Sequence, residues 1–149
     1  IGPMIARLLR SYGLERDEVL PRTRRRLKRL GGPRHYLWNA LTELIAPADN
    51  PEVSQVGYRF PSPEERYVVA ATYLELEARR RPLILWMDDV QWGGDAIAMA
   101  HHLIERKGRE DIPVLTVLTV RDDEIEPGSF EDQQLAALVV GLGQRRGPE

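Results

Sequence analysis

The feature that most constrains the fold is a short apolar run that ends in two adjacent aspartates. The run reads PLILWM over residues 82–87 and is followed directly by Asp88 and Asp89. A run of about six apolar residues is too short for a core helix and is typical of a strand covered on both faces. The pattern therefore predicts a buried strand with Trp86 in the core and two acids at its carboxyl end.

A second apolar run follows after a helical stretch. Residues 96–107 have the composition of a helix, with Asp95 as the expected N-cap and Gly108 as the expected stop. The second run, PVLTVLTV, covers residues 113–120. Two strands joined by one helix and short loops are expected to lie parallel, with a right-handed connection.

Parallel pairing would bring the polar residues that follow both strands to one edge of the sheet. Asp88 and Asp89 follow the first strand, and Arg121 follows the second. Ligands bind beyond the carboxyl ends of parallel strands, where carboxylates suit a hydrated magnesium ion and a guanidinium suits phosphate. The simpler alternative is that Asp88 only caps the turn after its strand.

At this level of detail the two runs resemble a known family. The segments LILWMDDVQW (83–92) and PVLTVLTVRDDE (113–124) are similar to the Walker B and sensor strands of STAND-class, AAA-like signal-transduction P-loop ATPases. Such modules occur in large bacterial transcription regulators and in kinase- or cyclase-linked proteins. The opening IGPMIARLL also resembles the segment after their second sheet strand. Residues 93–95 read Gly-Gly-Asp, where family members usually carry Ala-Asp, so the start of the next helix is open by about a residue.

The resemblance implies a set of ligands and roles. It implies ATP and Mg²⁺ as cofactors in the intact protein, with Asp88 binding the metal through water. Asp89 would polarise the attacking water or act as general base, and Arg121 would sense the γ-phosphate. Trp92 would lie at the mouth of the nucleotide site; a ring that packs the turn after the strand is the alternative. Other domains of the same protein, protein partners or further copies of the chain would be its partners.

One motif of this family is missing. No G-x-x-x-x-G-K-[ST] occurs, and Gly31-Gly32-Pro33 lacks the lysine that a phosphate-cradling loop needs. Either the chain is a fragment from downstream of that loop, which we favour, or it is a degenerate ATPase. We therefore expect a regulatory ATPase in the intact protein and no tight nucleotide binding or hydrolysis by this segment alone. The alternative function is a non-catalytic protein-interaction scaffold with a degenerate NTPase fold.

Composition excludes several other classes. The 149 residues are 42% hydrophobic and 30% charged, enough for one ordinary core. No apolar run reaches the roughly eighteen residues of a membrane span, and no signal peptide is evident, so we expect a cytoplasmic protein without membrane contact. The absence of cysteine excludes disulfides and thiolate metal sites. A net charge of −2 argues against nucleic-acid binding by the chain as a whole.

Charge is nevertheless unevenly distributed along the chain. Residues 1–50 contain ten Lys or Arg against five Asp or Glu, whereas the remainder contains eleven against eighteen. The basic excess comprises Arg22, Arg24, Arg25, Arg26, Lys28, Arg29 and Arg34. The patch could contact phosphate, nucleic acid or an acidic protein surface, but a solvated helix is favoured. No aromatic residue is interleaved with these cations, so the sequence does not favour direct nucleic-acid binding.

The rest of the chain is predicted to be helical. Helices are expected over 4–12, from Pro21 to Gly31 with Leu20, Leu27 and Leu30 inward, over 35–45, and from Ser62 to Arg80, with a loop at 46–61. Ser62 and Glu65 would form a capping box. The predicted fold is α/β: a partial P-loop NTPase with a parallel sheet, flanking helices and a helical N-terminal half. Residues 1–61 would be a helical insert, and 62–149 an αβαβα unit with the Walker B and sensor strands.

Overall fold

The computed structural model describes residues 1–31, 35–48, 58–107 and 113–143. The chain divides into two compact units, residues 1–80 and residues 81–149. The described part of the first unit contains α1 (Gly2–Leu8), α2 (Arg16–Arg29), α3 (His35–Ile45) and α4 (Pro63–Ala78). That of the second contains β1 (Leu83–Met87), α5 (Gly94–Lys107), β2 (Val114–Leu118) and α6 (Phe130–Gly143). Short 3-10 turns lie at Val90–Trp92 and Asp122–Glu124.

Helix α3 is the centre of the first unit, because it contacts each of the other three helices. Its predicted inward face is confirmed: Leu37, Leu41 and Leu44 are buried. Gly2 lies so close to α3 that a Cβ at this position would be 2.3 Å from the carbonyl oxygen of Leu44. Glycine is therefore required where α1 begins.

The first two helices differ from their predicted bounds. Helix α1 ends at Leu8, not at residue 12, because Arg10 adopts a positive φ of 57° and the Ser11 N–H bonds back to the Ala6 carbonyl. Helix α2 begins at Arg16, so that Pro21 lies inside it. The prediction placed the start of this helix at Pro21. The predicted stop of α2 at Gly31 is confirmed by the positive φ of 70° at this residue. Gly32, Pro33 and Arg34 lie outside the described residues.

Helix α4 starts where the sequence predicts, but without the predicted capping box. Ser62 is the N-cap residue, yet its side chain makes no capping hydrogen bond. A hydrogen bond with the Ser62 hydroxyl instead lowers the pKa of Glu64. Of the predicted loop before α4, residues 49–57 lie outside the described part of the chain.

A buried ion pair links α2 to α4. The Arg26 guanidinium donates to both carboxylate oxygens of Glu77, whose side chain is only 1% exposed. The Tyr73 hydroxyl donates to the same carboxylate at 2.7 Å. Burial and the neighbouring Glu77 carboxylate raise the pKa of Tyr73 far above its ordinary value. A glutamate inside an otherwise apolar helix face is therefore satisfied by two donors.

The second unit contains the predicted strand, helix and strand. Strands β1 and β2 pair in parallel, with Leu83 opposite Val114 and Met87 opposite Leu118. Helix α5 begins at Gly94, so Asp95 lies in its first turn and is not the N-cap. The helix begins two residues earlier than predicted, and the Ala96 N–H bonds to the Gly93 carbonyl at this start. Gly108, the predicted stop, lies outside the described residues.

The prediction that β1 is covered on both faces is wrong. Leu85 and Met87 are buried, but Ile84 is 74% exposed and Trp86 is 67% exposed. Leu115, the partner of Ile84 in β2, is 58% exposed, so one face of the sheet is apolar and open. An unbroken apolar run shows that both faces of the strand are apolar. It does not show that other elements cover both faces.

Helix α4 belongs to the first compact unit, because the chain divides after residue 80. The α4 side chains contact α3, which explains this placement. The predicted boundary at residue 61, which concerns an NTPase domain, stays a prediction. None of the described helices is both long and apolar enough to cross a membrane.

We expect Glu77→Gln to lower the free energy of unfolding by about 2–4 kcal/mol, because it leaves a half-buried guanidinium without its counter-charge. Tyr73→Phe removes one hydrogen bond and should cost about 1 kcal/mol. Urea unfolding followed by circular dichroism measures both changes. Glu105→Gln, at an exposed glutamate of α5, is the control and should stay within about 0.5 kcal/mol. Equal midpoints for Glu77→Gln and this control would contradict a stabilising role of the pair.

Candidate functional site

The ladder between the strands continues past β1 and brings both carboxyl ends together. The Thr119 N–H donates to the Met87 carbonyl at 3.0 Å, and the Val90 N–H donates to the Thr119 carbonyl at 3.1 Å. These two bonds place the residues after Met87 directly beside the residues after Leu118. The predicted edge with Asp88, Asp89 and their partners therefore exists in the second unit.

Asp89 adopts a left-handed backbone conformation. Its φ is 51° and its ψ is 48°, a region that aspartate enters more readily than most residues but still at some cost. The turn ends β1 and starts the 3-10 turn at Val90–Trp92. Because of it, the side chains of two neighbouring aspartates have different partners at the same edge.

Thr119 connects the two aspartates. Its hydroxyl donates to the Asp88 carboxylate and accepts a hydrogen bond of 3.2 Å from the Asp89 N–H. Asp88 is therefore oriented by a side chain of the second strand segment, beyond what a turn cap would need. Sequence reasoning did not single out Thr119, although its position two residues before Arg121 places it at the end of the same run.

Arg121 binds Asp89 through two hydrogen-bonding contacts. Its Nη2 donates to Oδ2 of the Asp89 carboxylate at 3.2 Å, and its Nε lies 3.2 Å from Oδ1 of the same carboxylate. Its Nη1 donates to Glu124 at 2.8 Å. Gln91 donates to the other oxygen of Glu124 at 3.1 Å and accepts from the Arg121 N–H at 3.4 Å. The structure thus brings Asp89 and Arg121 into contact, while their catalytic roles stay predictions.

The network changes the titration of its members. Hydrogen bonds from Arg121 and then Gln91 lower the pKa of Glu124, and Trp92 contributes in the same direction. The hydrogen bond with Glu124, followed by the charge of Asp89, raises the pKa of Arg121. The charged groups of Arg121, Asp89 and Glu124 are near the surface, so solvent screens their attraction. Their contacts therefore act mainly to fix the geometry of the edge. Sequence reasoning missed Gln91 and Glu124 because both residues lie within ordinary loop segments.

Trp92 lies at the end of the 3-10 turn and is 74% exposed. This exposure contradicts the alternative that its ring packs the turn as a wedge. A ring open to solvent beside Glu124 is available to a ligand at the edge, which is where the prediction placed it. Nucleotide contact by Trp92 stays a prediction.

The chemistry of the edge suits a hydrated divalent cation. Asp88, Asp89 and Glu124 supply three carboxylates against the single guanidinium of Arg121, so the edge has an excess of negative charge. Magnesium binds proteins through one or two carboxylates and keeps several waters, and the oxygen ligands of Asp88 and Thr119 fit this mode. A bare triphosphate would be repelled. No group of three or more potential metal-ligating His, Asp or Glu side chains occurs among the described residues.

A separate cavity lies in the first unit and has a volume of about 390 Å³. Its lining includes Glu43, Tyr58, Phe60 and Arg66. Burial raises the pKa of Tyr58 above its ordinary value. None of the predicted site residues lines this cavity. The predicted nucleotide site therefore lies at the sheet edge and does not include the cavity.

Comparison with known proteins finds no family model, no curated protein and no solved structure that matches this chain. The residues of the sheet edge and the resemblance of the two strand segments are therefore the basis for a proposal on function. Fold, site roles and ligands beyond the observed geometry are proposals.

We expect Arg121→Gln to return the pKa of Glu124 toward its ordinary value of 4.5. Because the folded-state pKa is lowered, the ion pair stabilises the fold above the unfolded-state pKa, and this contribution is lost as pH falls through the folded-state pKa. Carbon-detected NMR of the side-chain carboxyl measures the midpoint. Arg80→Gln, at an exposed arginine of the first unit, should leave the midpoint unchanged. The same midpoint in all three proteins would contradict the pairing.

Proposed function

We propose that the chain is the Walker B and sensor part of a signal-transduction ATPase, in which ATP binding and hydrolysis act as a regulatory switch. The observation that carries this proposal is the contact between Asp89 and Arg121 at the edge where β1 and β2 end. Two further features support it: the parallel β1–α5–β2 order and the oriented carboxylate of Asp88. The phosphate-cradling loop would be supplied by a segment outside the sequence in hand.

Each edge residue has a distinct proposed role. Asp88 would hold Mg²⁺ through water, and Thr119 keeps its carboxylate oriented toward the edge. The metal, when bound, neutralises phosphate charge and helps to align the reacting groups. Asp89 would accept a proton from the attacking water at one of its carboxylate oxygens. Trp92, open to solvent, would border the nucleotide.

The pairing of Asp89 with Arg121 suggests how the switch is set. Both oxygens of Asp89 are held by Arg121, and Arg121 is also held by Glu124. Asp89 becomes available as a base only when Arg121 exchanges it for another anion. A γ-phosphate is an anion of the right chemistry, since guanidinium binds phosphate and carboxylate in similar ways. Nucleotide binding would thereby release the base that hydrolysis needs.

A second candidate function is a protein-interaction scaffold without catalysis. The exposed apolar face formed by Ile84, Trp86 and Leu115 favours it, since large open apolar patches mark interaction surfaces. In this alternative, Arg121 and its carboxylates only close the end of the sheet. The flanking sequence distinguishes the two functions: an intact phosphate-binding loop supports the ATPase, and an eroded one supports the scaffold.

We expect Asp88→Asn, made in the intact protein, to abolish ATP hydrolysis, because it removes the carboxylate proposed to hold the metal. Steady-state phosphate release measures the rate. Asp17→Asn, at an exposed aspartate of the first turn of α2, makes the same chemical change elsewhere and should leave the rate unchanged. Unchanged turnover in Asp88→Asn would remove the assignment.

We expect the 149-residue chain alone to bind ATP with Mg²⁺ too weakly for calorimetry at micromolar concentrations. Its edge has excess negative charge, and the sequence has no loop of backbone amides to offset the triphosphate. A titration with MgATP, with Mg²⁺ alone as the control, makes the measurement. Micromolar affinity for MgATP would contradict the proposed division of the site between two segments.

A further inference from the structure

The exposed side of α2 is basic and lies opposite its buried side. The buried residues are Val19, Thr23 and Leu27. At 100° per residue, four exposed cations lie within an arc of roughly 140° on the other side of the helix. These cations are Arg24, Arg25, Lys28 and Arg29, and we call them the α2 basic face. Arg22 is also exposed, but its guanidinium donates to the Arg10 carbonyl. Arg16 and Arg26 are not part of it, because both are paired with glutamates.

The fold adds aromatic rings that the sequence of α2 lacks. The guanidinium carbon of Arg24 and the ammonium nitrogen of Lys28 each lie 5.7 Å from the centre of the Trp38 ring on α3. His35 packs edge-on against Trp38, with ring centres 4.4 Å apart. His35 is itself exposed. Cations of one helix and aromatic rings of another therefore form one surface.

We propose that the α2 basic face and the adjoining rings of α3 bind single-stranded nucleic acid. Arg24 and Lys28 are held over Trp38, so they lose less side-chain freedom when they bind phosphate. The basic face spans about 8 Å along the helix, enough for two or three successive phosphates. Exposed His35, packed against Trp38, supplies a flat surface on which a base stacks, as single-strand binding sites require.

Other polyanions fit the surface less well. An acidic peptide would pair with the cations but has no flat bases to use the exposed rings. A membrane-binding helix needs an apolar face to insert, and the apolar residues Val19 and Leu27 of α2 are buried in the first unit. The absence of aromatic residues between the cations argued against nucleic acid at the level of sequence. The contacts of Trp38 remove that objection.

The test is fluorescence anisotropy of the whole chain with a labelled 20-nucleotide single-stranded DNA. We expect saturable binding at 50 mM salt that weakens about 7- to 20-fold at 200 mM, as neutralisation of two or three phosphates requires. The double variant Arg24→Glu/Lys28→Glu should lose at least tenfold in affinity. Arg80→Glu/Arg81→Glu makes the same charge change at exposed arginines outside this face and should lose less than threefold.

A second variant separates stacking from charge. His35→Ala keeps every Lys and Arg and should weaken DNA binding about tenfold, while binding of a polyglutamate of equal length stays the same. Tyr12→Ala is the matched control, since Tyr12 is 62% exposed and also lies beside an arginine, Arg7. Circular dichroism checks that each variant is folded.

Four results would overturn the proposal. They are no saturable binding at 50 mM salt, equal losses in the two charge-reversal variants, polyglutamate binding as tight as DNA, and no effect of His35→Ala on DNA affinity. Tight polyglutamate binding would assign the face to an acidic protein surface. The test does not involve the sheet edge, so it is independent of the proposed ATPase function.

Discussion

The parallel hydrogen-bonded ladder between β1 and β2 is the constraint on which the candidate site depends. It continues beyond the strands, where Thr119 exchanges backbone hydrogen bonds with Met87 and Val90. Parallel pairing sends both chains out at the same edge, so residues about thirty positions apart meet. With antiparallel pairing, the acids after β1 and the arginine after β2 would lie at opposite ends of the sheet, and no shared site would exist.

Three side chains to which the sequence analysis assigned no role determine how the edge is arranged. Thr119 orients Asp88, while Gln91 and Glu124 hold Arg121 from two sides. Individually these surface contacts stabilise the fold little, since solvent screens them. Together they fix the positions of the Asp88 and Asp89 carboxylates, the proposed metal ligand and base, and of the Arg121 guanidinium. Their arrangement holds Asp89 and Arg121 together, which suits the proposed site before its ligand binds.

The sequence predicts the strands, their direction and the meeting of Asp89 with Arg121, because these follow from apolar runs and from the geometry of a crossover. It fails where the outcome depends on what neighbouring elements cover. Trp86 is a large apolar residue of the kind expected in a core, but no described helix or strand covers it, so it is exposed. The buried Glu77 and the contacts of Trp38 were also missed, because their partners come from distant helices that no local pattern identifies.

Disulfide formation between introduced cysteines tests the strand register most directly, since the natural chain has no cysteine. Ile84 and Leu115 are register partners and both are exposed, so their Cα atoms lie within the reach of a disulfide. Val117 lies two residues further along β2, about 8 Å from Ile84 and beyond that reach. The account predicts rapid oxidation of Ile84→Cys/Leu115→Cys and none of Ile84→Cys/Val117→Cys. Crosslinking of the second pair, or of neither, would contradict the parallel register and the site built on it.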